Sequence, residues 1–73
     1  MGAGMHYIIG PERSAEALAR KVGLRREEWR HIGRLDDARG RSYVNDRVLE
    51  THDAWQLADI ALIHDEIRAH AVV

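Results

Sequence analysis

The fold is decided by residues 5–32, MHYIIGPERSAEALARKVGLRREEWRHI. The run at residues 5–9 is rich in residue types that favour strands, is too short for a helix and ends at Gly10-Pro11. Residues 29–32 alternate apolar with polar side chains before Gly33, which predicts a second strand. A helical pattern separates the two strands, and we therefore expect a parallel pair joined by a crossover connection.

That helix is predicted over residues 12–22. Pro11 suits the first helical turn, and Gly23 suits a left-handed cap with Leu24 as the hydrophobic contact after it. The predicted apolar stripe repeats at helical spacing and consists of Ala15, Leu18, Ala19 and Val22.

Three more elements follow in the sequence. Residues 35–40 predict one helical turn closed by Gly40, and residues 47–51 predict a third strand. Residues 57–70 predict a final helix whose first turn contains Asp59. The apolar side of this helix carries Leu57, Ile60, Ile63, His64 and Ile67, with His64 expected to be a hydrogen-bonded border residue.

The predicted elements close most simply as an α/β fold. We expect a minimal three-stranded parallel sheet of order 2-1-3 with two main helices, in the order β-α-β-(turn)-β-α. Residues 5–73 then form a single small domain. Residues 1–4 are interpreted as an added or flexible N-terminus ahead of a native Met5.

Composition and charge exclude several classes of protein. The 73 residues contain no cysteine, which excludes disulfides, thiolate zinc sites and cysteine nucleophiles. No apolar run is long enough to span a bilayer or to act as a secretory signal, so we expect a cytoplasmic protein. The net charge of −1 divides into +4 over residues 20–47 and −4 over residues 48–73. This division suits association with a protein partner or with a second copy.

Candidate binding residues follow the three predicted strands, since parallel sheets bind ligands at the carboxyl ends of their strands. A phosphate or nucleotide could be held at the helix N-terminus beside the basic residues. However, neither the Walker motif nor GxGxxG is present, and Glu12 would repel an anion. We expect no cofactor. The candidate ligand- or partner-binding residues are Arg13, Ser14, Arg34, His52, Asp53 and Trp55.

Metal binding and catalysis are not expected. The five histidines contain no i, i+4 pair, which a helical zinc site would need. The hydroxyl candidates could meet a His52–Asp53 pair only through tertiary contacts, and so small a chain has little room to exclude water. We therefore predict that the protein is not an enzyme. The hydroxyls considered are those of Ser14, Ser42 and Thr51.

Residues 14–34 also fit a helix-turn-helix motif, which is the first alternative. Its second helix would present four arginines to DNA phosphates and guanine edges. The strand-like segments on either side, the interrupting Gly33 and the near-neutral net charge favour a different interpretation. Nucleic acid is thus the less favoured partner. The DNA-binding residues of this alternative would be Arg25, Arg26, Arg30 and Arg34.

The two tryptophans are the main large aromatic side chains, because the chain has no Phe. Both are expected in the core. A tryptophan that is exposed would instead be the best candidate for the centre of a partner-binding surface, since Trp and Arg dominate such surfaces. Trp55, which follows the third strand beside His52 and Asp53, has the better claim to that role.

Four segments together resemble a class of small proteins encoded by phages of actinobacteria, which look like reduced Rossmann or P-loop units. The resemblance covers about residues 5–70 and implies an accessory role in the host cytoplasm. Some proteins of this class act on host proteins and slow growth. The leading hypothesis is therefore a non-enzymatic accessory protein that binds a host protein, with self-association left open. The segments are HYIIGP at 6–11, ARKVGL at 19–24, EWRHI at 28–32 and LDDARG at 35–40.

Overall fold

The computed structural model describes residues 5–72, apart from the side chains of Asn45 and Val72. The predicted N-terminal tail at residues 1–4 lies outside this range. In chain order the elements are β1 His6–Ile9, α1 Glu12–Lys21, β2 Trp29–Ile32, α2 Leu35–Ala38, β3 Tyr43–Val44, β4 Val48–Glu50, α3 Ile60–Ala69 and β5 Ala71–Val72, with short 3₁₀ turns at Arg26–Glu28, Asn45–Arg47 and Ala54–Gln56.

The main sheet has three parallel strands in the order β2-β1-β4. Ile9 of β1 aligns with Ile32 of β2 on one side and with Glu50 of β4 on the other. The first strand is therefore central, and β4 is the third strand that the sequence predicted. The α/β fold class, the parallel sheet and its order are confirmed.

Helices cover both faces of this sheet. Successive strand residues point to opposite faces, so Ile8 packs with Ala15 and Ala19 of α1, while Ile9 packs on the other side with Ile63 and Ile67 of α3. Two consecutive buried isoleucines are what a doubly covered parallel strand requires. The short run at residues 6–9 thus contributes to both halves of the core.

The end of α1 has the predicted left-handed cap. Gly23 has φ +83, and the N–H groups of Gly23 and Leu24 donate to the carbonyls of Arg20 and Ala19 at 3.2 and 2.8 Å. These two bonds form a Schellman motif, in which carbonyls left free by the helix end are satisfied. The helix was predicted to end at about Val22, and it ends at Lys21 with Val22 as its C-cap, whose N–H still donates to the carbonyl of Leu18 at 3.0 Å. The place of Val22 on the apolar stripe is wrong, because its side chain is 51% exposed.

The helix-turn-helix prediction over residues 14–34 is wrong. Residues that would form the recognition helix are strand β2, which pairs in parallel with β1. The cross-strand pairing and the burial of Trp29 and Ile32 outweigh the helical spacing of the apolar residues. The four arginines consequently lie on different elements: Arg25 and Arg26 begin the turn before β2, Arg30 lies within β2, and Arg34 precedes α2.

The C-terminal half differs from its prediction in two places. The helix expected over residues 57–70 begins only at Ile60, because residues 54–56 form a separate turn in which the N–H of Leu57 donates to the carbonyl of Ala54. A second small sheet pairs β3 with β5 in parallel, joining Tyr43 to Ala71. Two-residue strands are too short to produce a periodic pattern, and the sequence analysis missed them.

Candidate partner-binding site

The carboxyl ends of the three main strands are tied together around Gly10. The N–H of Gly10 donates to the carbonyl of Ile32 at 3.1 Å, and the N–H of Thr51 donates to the carbonyl of Ile9 at 2.9 Å. The ring of His31 also contributes, because its Nε2 lies 2.6 Å from the carbonyl oxygen of Gly10 and is hydrogen-bonded to it. This end of the sheet is therefore a rigid platform for the loops that follow the strands.

Asp53 connects the loop after β4 to the start of α1. Its carboxylate accepts hydrogen bonds from the hydroxyl of Ser14 at 2.5 Å and from that of Thr51 at 2.7 Å. These two donors, of which Ser14 has the larger effect, hold the pKa of Asp53 below its ordinary value, since they stabilise the ionised form. The loop carrying residues 52–56 is thereby held against the first turn of the helix.

We expect Asp53→Asn to weaken the fold near neutral pH and to matter less in acid. A carboxylate whose pKa is lowered by folding contributes stability above its unfolded value of 3.8, and this contribution is lost as the pH falls through the lower folded value. The difference in urea unfolding midpoint between wild type and Asp53→Asn should therefore be largest near neutral pH and should shrink progressively as the pH is lowered below 3.8. Asp65→Asn, which alters an exposed carboxylate beside Arg68, is the control. A difference between wild type and Asp53→Asn that does not change with pH would contradict the assignment.

The same carboxylate bears on the expected phosphate site. Arg13, Ser14 and His52 line one open groove, as the sequence analysis anticipated. However, the hydroxyl of Ser14 is already bonded to Asp53, and a phosphate there would meet that negative charge. Arg34 does not line this groove, and its N–H instead donates to Asp37 at 3.1 Å. The structure thus brings together Arg13, Ser14, His52 and Asp53, whereas neither Arg34 nor Trp55 lines this groove.

The hydroxyl groups do not form a nucleophile–base pair in the described part of the chain. A serine triad places the histidine between the nucleophile and the carboxylate. Here Asp53 bonds Ser14 and Thr51 directly, and His52 is exposed with its ring outside this network. The contacts of Asp53 are those of a structural clamp.

The two tryptophans have opposite environments. Trp29 is 4% exposed and packs under α1, as predicted. Trp55 is 72% exposed, so the expectation that both are core residues is wrong for this one. The local reason is the 3₁₀ turn of residues 54–56, which buries Ala54 and turns the next side chain outward. Because it is exposed, Trp55 is the best candidate for the centre of a partner-binding surface.

Two further side chains of α3 lie at the border of the core or outside it. His64 is hydrogen-bonded at the border of the core, as predicted, with Nε2 at 2.8 Å from Oε1 of Glu50. Leu62 is 52% exposed on α3, and the sequence analysis did not single it out. Its position next to the buried Ile63, off the apolar stripe, was the available signal.

Two further features are absent from residues 5–72. No helix there has the length and apolar character to cross a membrane. Within the same range, no group of three or more His, Asp or Glu side chains is arranged to hold a metal ion.

The chain is thus a small α/β protein whose parallel three-stranded sheet is covered by helices on both faces. An exposed tryptophan lies in the loop after the third strand of this sheet. Comparison with protein-family models, curated proteins and solved structures finds no match for the chain. The resemblance to phage proteins accordingly stays a prediction.

Proposed function

We propose that this chain is a non-enzymatic accessory protein that binds a protein partner through the surface centred on Trp55. The observation that carries the proposal is the 72% exposure of that side chain. A large aromatic ring that stays in water does not contribute the free energy that its burial in the core would provide. Tryptophan is among the residue types most enriched at the positions that dominate binding energy in protein interfaces.

The support beneath Trp55 suits it for binding. The preceding Ala54 is buried, and Asp53 is bonded to Ser14 and Thr51. An anchored loop loses less conformational entropy on binding than a mobile one, so more of the contact energy appears as affinity. The exposed neighbours His52 and Gln56 supply the polar rim that surrounds the apolar centre of a typical interface.

The resemblance to phage proteins implies that the chain acts inside a host cell. The partner would be a protein of the host cytoplasm, and its inhibition would slow growth. The two bonds of Asp53 support a binding role because they hold the loop that carries Trp55 against the start of α1.

The experiment is affinity capture from host cytoplasm at native expression, followed by titration of the purified protein against the partner recovered. We expect Trp55→Ala to weaken this binary affinity by about 30-fold, which is the loss of about 2 kcal/mol typical of a central interface tryptophan. Circular dichroism should show an unchanged fold, because the side chain is mostly outside the core.

Val22→Ala is the matched control. It shortens another exposed apolar side chain, 51% accessible, at the opposite end of α1 from Ser14. Equal affinity of wild type and Trp55→Ala would place the binding surface elsewhere. Repeated capture that recovers no partner would count against the accessory role itself.

A further inference from the structure

Three arginines of the basic middle segment line one groove beside β2, which is an edge strand of the main sheet. Arg26 belongs to the turn before β2, Arg30 lies within β2, and Arg41 follows α2. Arg30 is aligned with Tyr7 in the parallel register of β1 and β2. The guanidinium of Arg41 lies 5.8 Å from the centroid of the same Tyr7 ring. The fold thus brings together positive charges from three separate parts of the chain.

Two of these arginines are held in place by contacts with the rest of the fold. The guanidinium of Arg26 lies 4.7 Å from the centroid of the Trp29 ring and donates to the carbonyl of Trp29 at 3.3 Å. Nε of Arg41 donates to the carbonyl of Asp37 at 3.0 Å. A guanidinium has five N–H donors, so one backbone bond leaves most of them available. Side chains that are already ordered lose less conformational entropy when they bind a ligand.

The positive charge of this groove is not offset by the acidic residues beside it. In the part of the chain that the structure describes, none of the three groove arginines takes part in an ion pair. Glu27 also lines the groove but pairs with Arg25 at 3.5 Å. Asp37, the other carboxylate there, accepts the N–H groups of Gly33 and Arg34 at 3.0 and 3.1 Å. Since like charges repel, an anion bound among the arginines would stabilise the groove.

We propose that this groove binds an acidic peptide segment whose side-chain carboxylates pair with the guanidiniums of Arg26, Arg30 and Arg41. The planar fork of arginine matches a carboxylate through two parallel N–H···O bonds. In an extended peptide, alternate side chains lie about 7 Å apart on one face, so one segment can present carboxylates to more than one arginine. The site is separate from the surface centred on Trp55, because β2 and β4 are opposite edges of the sheet and Trp55 follows β4.

The surroundings of the arginines favour a peptide over a nucleic acid. Proteins that bind single strands stack the bases on exposed aromatic rings, but Trp29 is only 4% exposed and its ring is in contact with Arg26. Binding to a duplex depends on many phosphate contacts along a positive surface, and here Glu27 and Asp37 lie among the arginines. A peptide can place its few carboxylates at the arginines and neutral residues beside these two acids.

Titration of the full chain with an acidic peptide tests the site. The probe is a fluorescent peptide of about ten glutamates, followed by anisotropy at about 150 mM salt, where exposed charges more than about 8 Å apart are largely screened. We expect Arg30→Gln to weaken binding about fivefold, the upper range for an exposed charge pair. Arg20→Gln is the matched control, because it removes the same charge from an exposed position on α1. Equal weakening by the two substitutions, or no binding up to about 1 mM peptide, would overturn the proposal.

Two further measurements identify the ligand class and the surface. A thymidine oligonucleotide of the same charge as the peptide should bind more weakly at the same salt concentration. Tighter binding of the oligonucleotide that is lost in Arg30→Gln would assign the groove to nucleic acid and overturn the proposal. Trp55→Ala should bind the peptide as wild type does, so this site and the partner surface centred on Trp55 are tested independently. Loss of peptide binding in Trp55→Ala would contradict the location of the site beside β2.

Discussion

Gly10→Ala is expected to lower the free energy of unfolding by about 3 kcal/mol, through overpacking of about 1–3 kcal/mol and backbone strain of about 1–2 kcal/mol. A Cβ atom at this position would lie 2.0 Å from Oγ1 of Thr51 and 2.9 Å from its Cβ. The backbone there has φ +152, a conformation that residues other than glycine rarely adopt. Neither strand end can move away easily, because Gly10 bonds Ile32 and Thr51 bonds Ile9.

Thermal unfolding measures this effect. A loss of 3 kcal/mol should lower Tm by roughly 15 °C in a domain of this size. Gly40→Ala is the matched control, because Gly40 also has a positive φ, +74, but nothing lies within 4 Å of its Cβ position. That variant should lose only about 1 kcal/mol, the cost of the backbone conformation. Equal losses at the two glycines would show that the contact with Thr51 is unimportant.

Trp29→Ala is expected to destabilise the fold by about 3–5 kcal/mol, the usual cost of removing a buried aromatic side chain. Trp29 is 4% exposed and packs with Ile8, Ala15 and Ala19 between the sheet and α1. The guanidinium of Arg26 lies 4.7 Å from its ring centroid and covers the outer side. Truncation would therefore remove the largest side chain of this core layer.

Trp55→Ala provides the internal comparison, since the same atoms are removed from a side chain that is 72% exposed. Its stability should stay within about 0.5 kcal/mol of wild type, as for most surface substitutions. Urea unfolding monitored by circular dichroism measures both variants without relying on tryptophan fluorescence. Comparable destabilisation by the two substitutions would contradict the assigned burial of these residues.

Local sequence patterns accounted for the main elements. The strand at residues 6–9, the helix beginning at Glu12 and the cap at Gly23 each depend on neighbouring residues, through β-propensity, helical spacing and the freedom of glycine. Their parallel arrangement followed from the crossover that the helix provides. Val22 shows the limit of such patterns, because it has the helical spacing of the apolar stripe but is 51% exposed at the end of the helix.

The candidate site was only partly predictable. Its location at the carboxyl ends of the strands follows from the topology of parallel sheets, which placed Ser14 and Asp53 among the candidates. Their mutual bond joins residues 39 positions apart, and periodicity carries no information about such a pair. The small sheet formed by β3 and β5 is another long-range contact of this kind.

The sequence by itself determined the main strands and helices, because spacing, glycine caps and strand propensity act within a few residues. The parallel sheet with the first strand central then followed from the crossover rule for strands joined by a helix. The tertiary structure alone decided which tryptophan is exposed, what Asp53 binds and how the second small sheet pairs β3 with β5. Each of these depends on side chains that meet only after the sheet has formed. The split between a basic middle and an acidic end suits association, and the exposed Trp55 is the centre of the surface proposed for it.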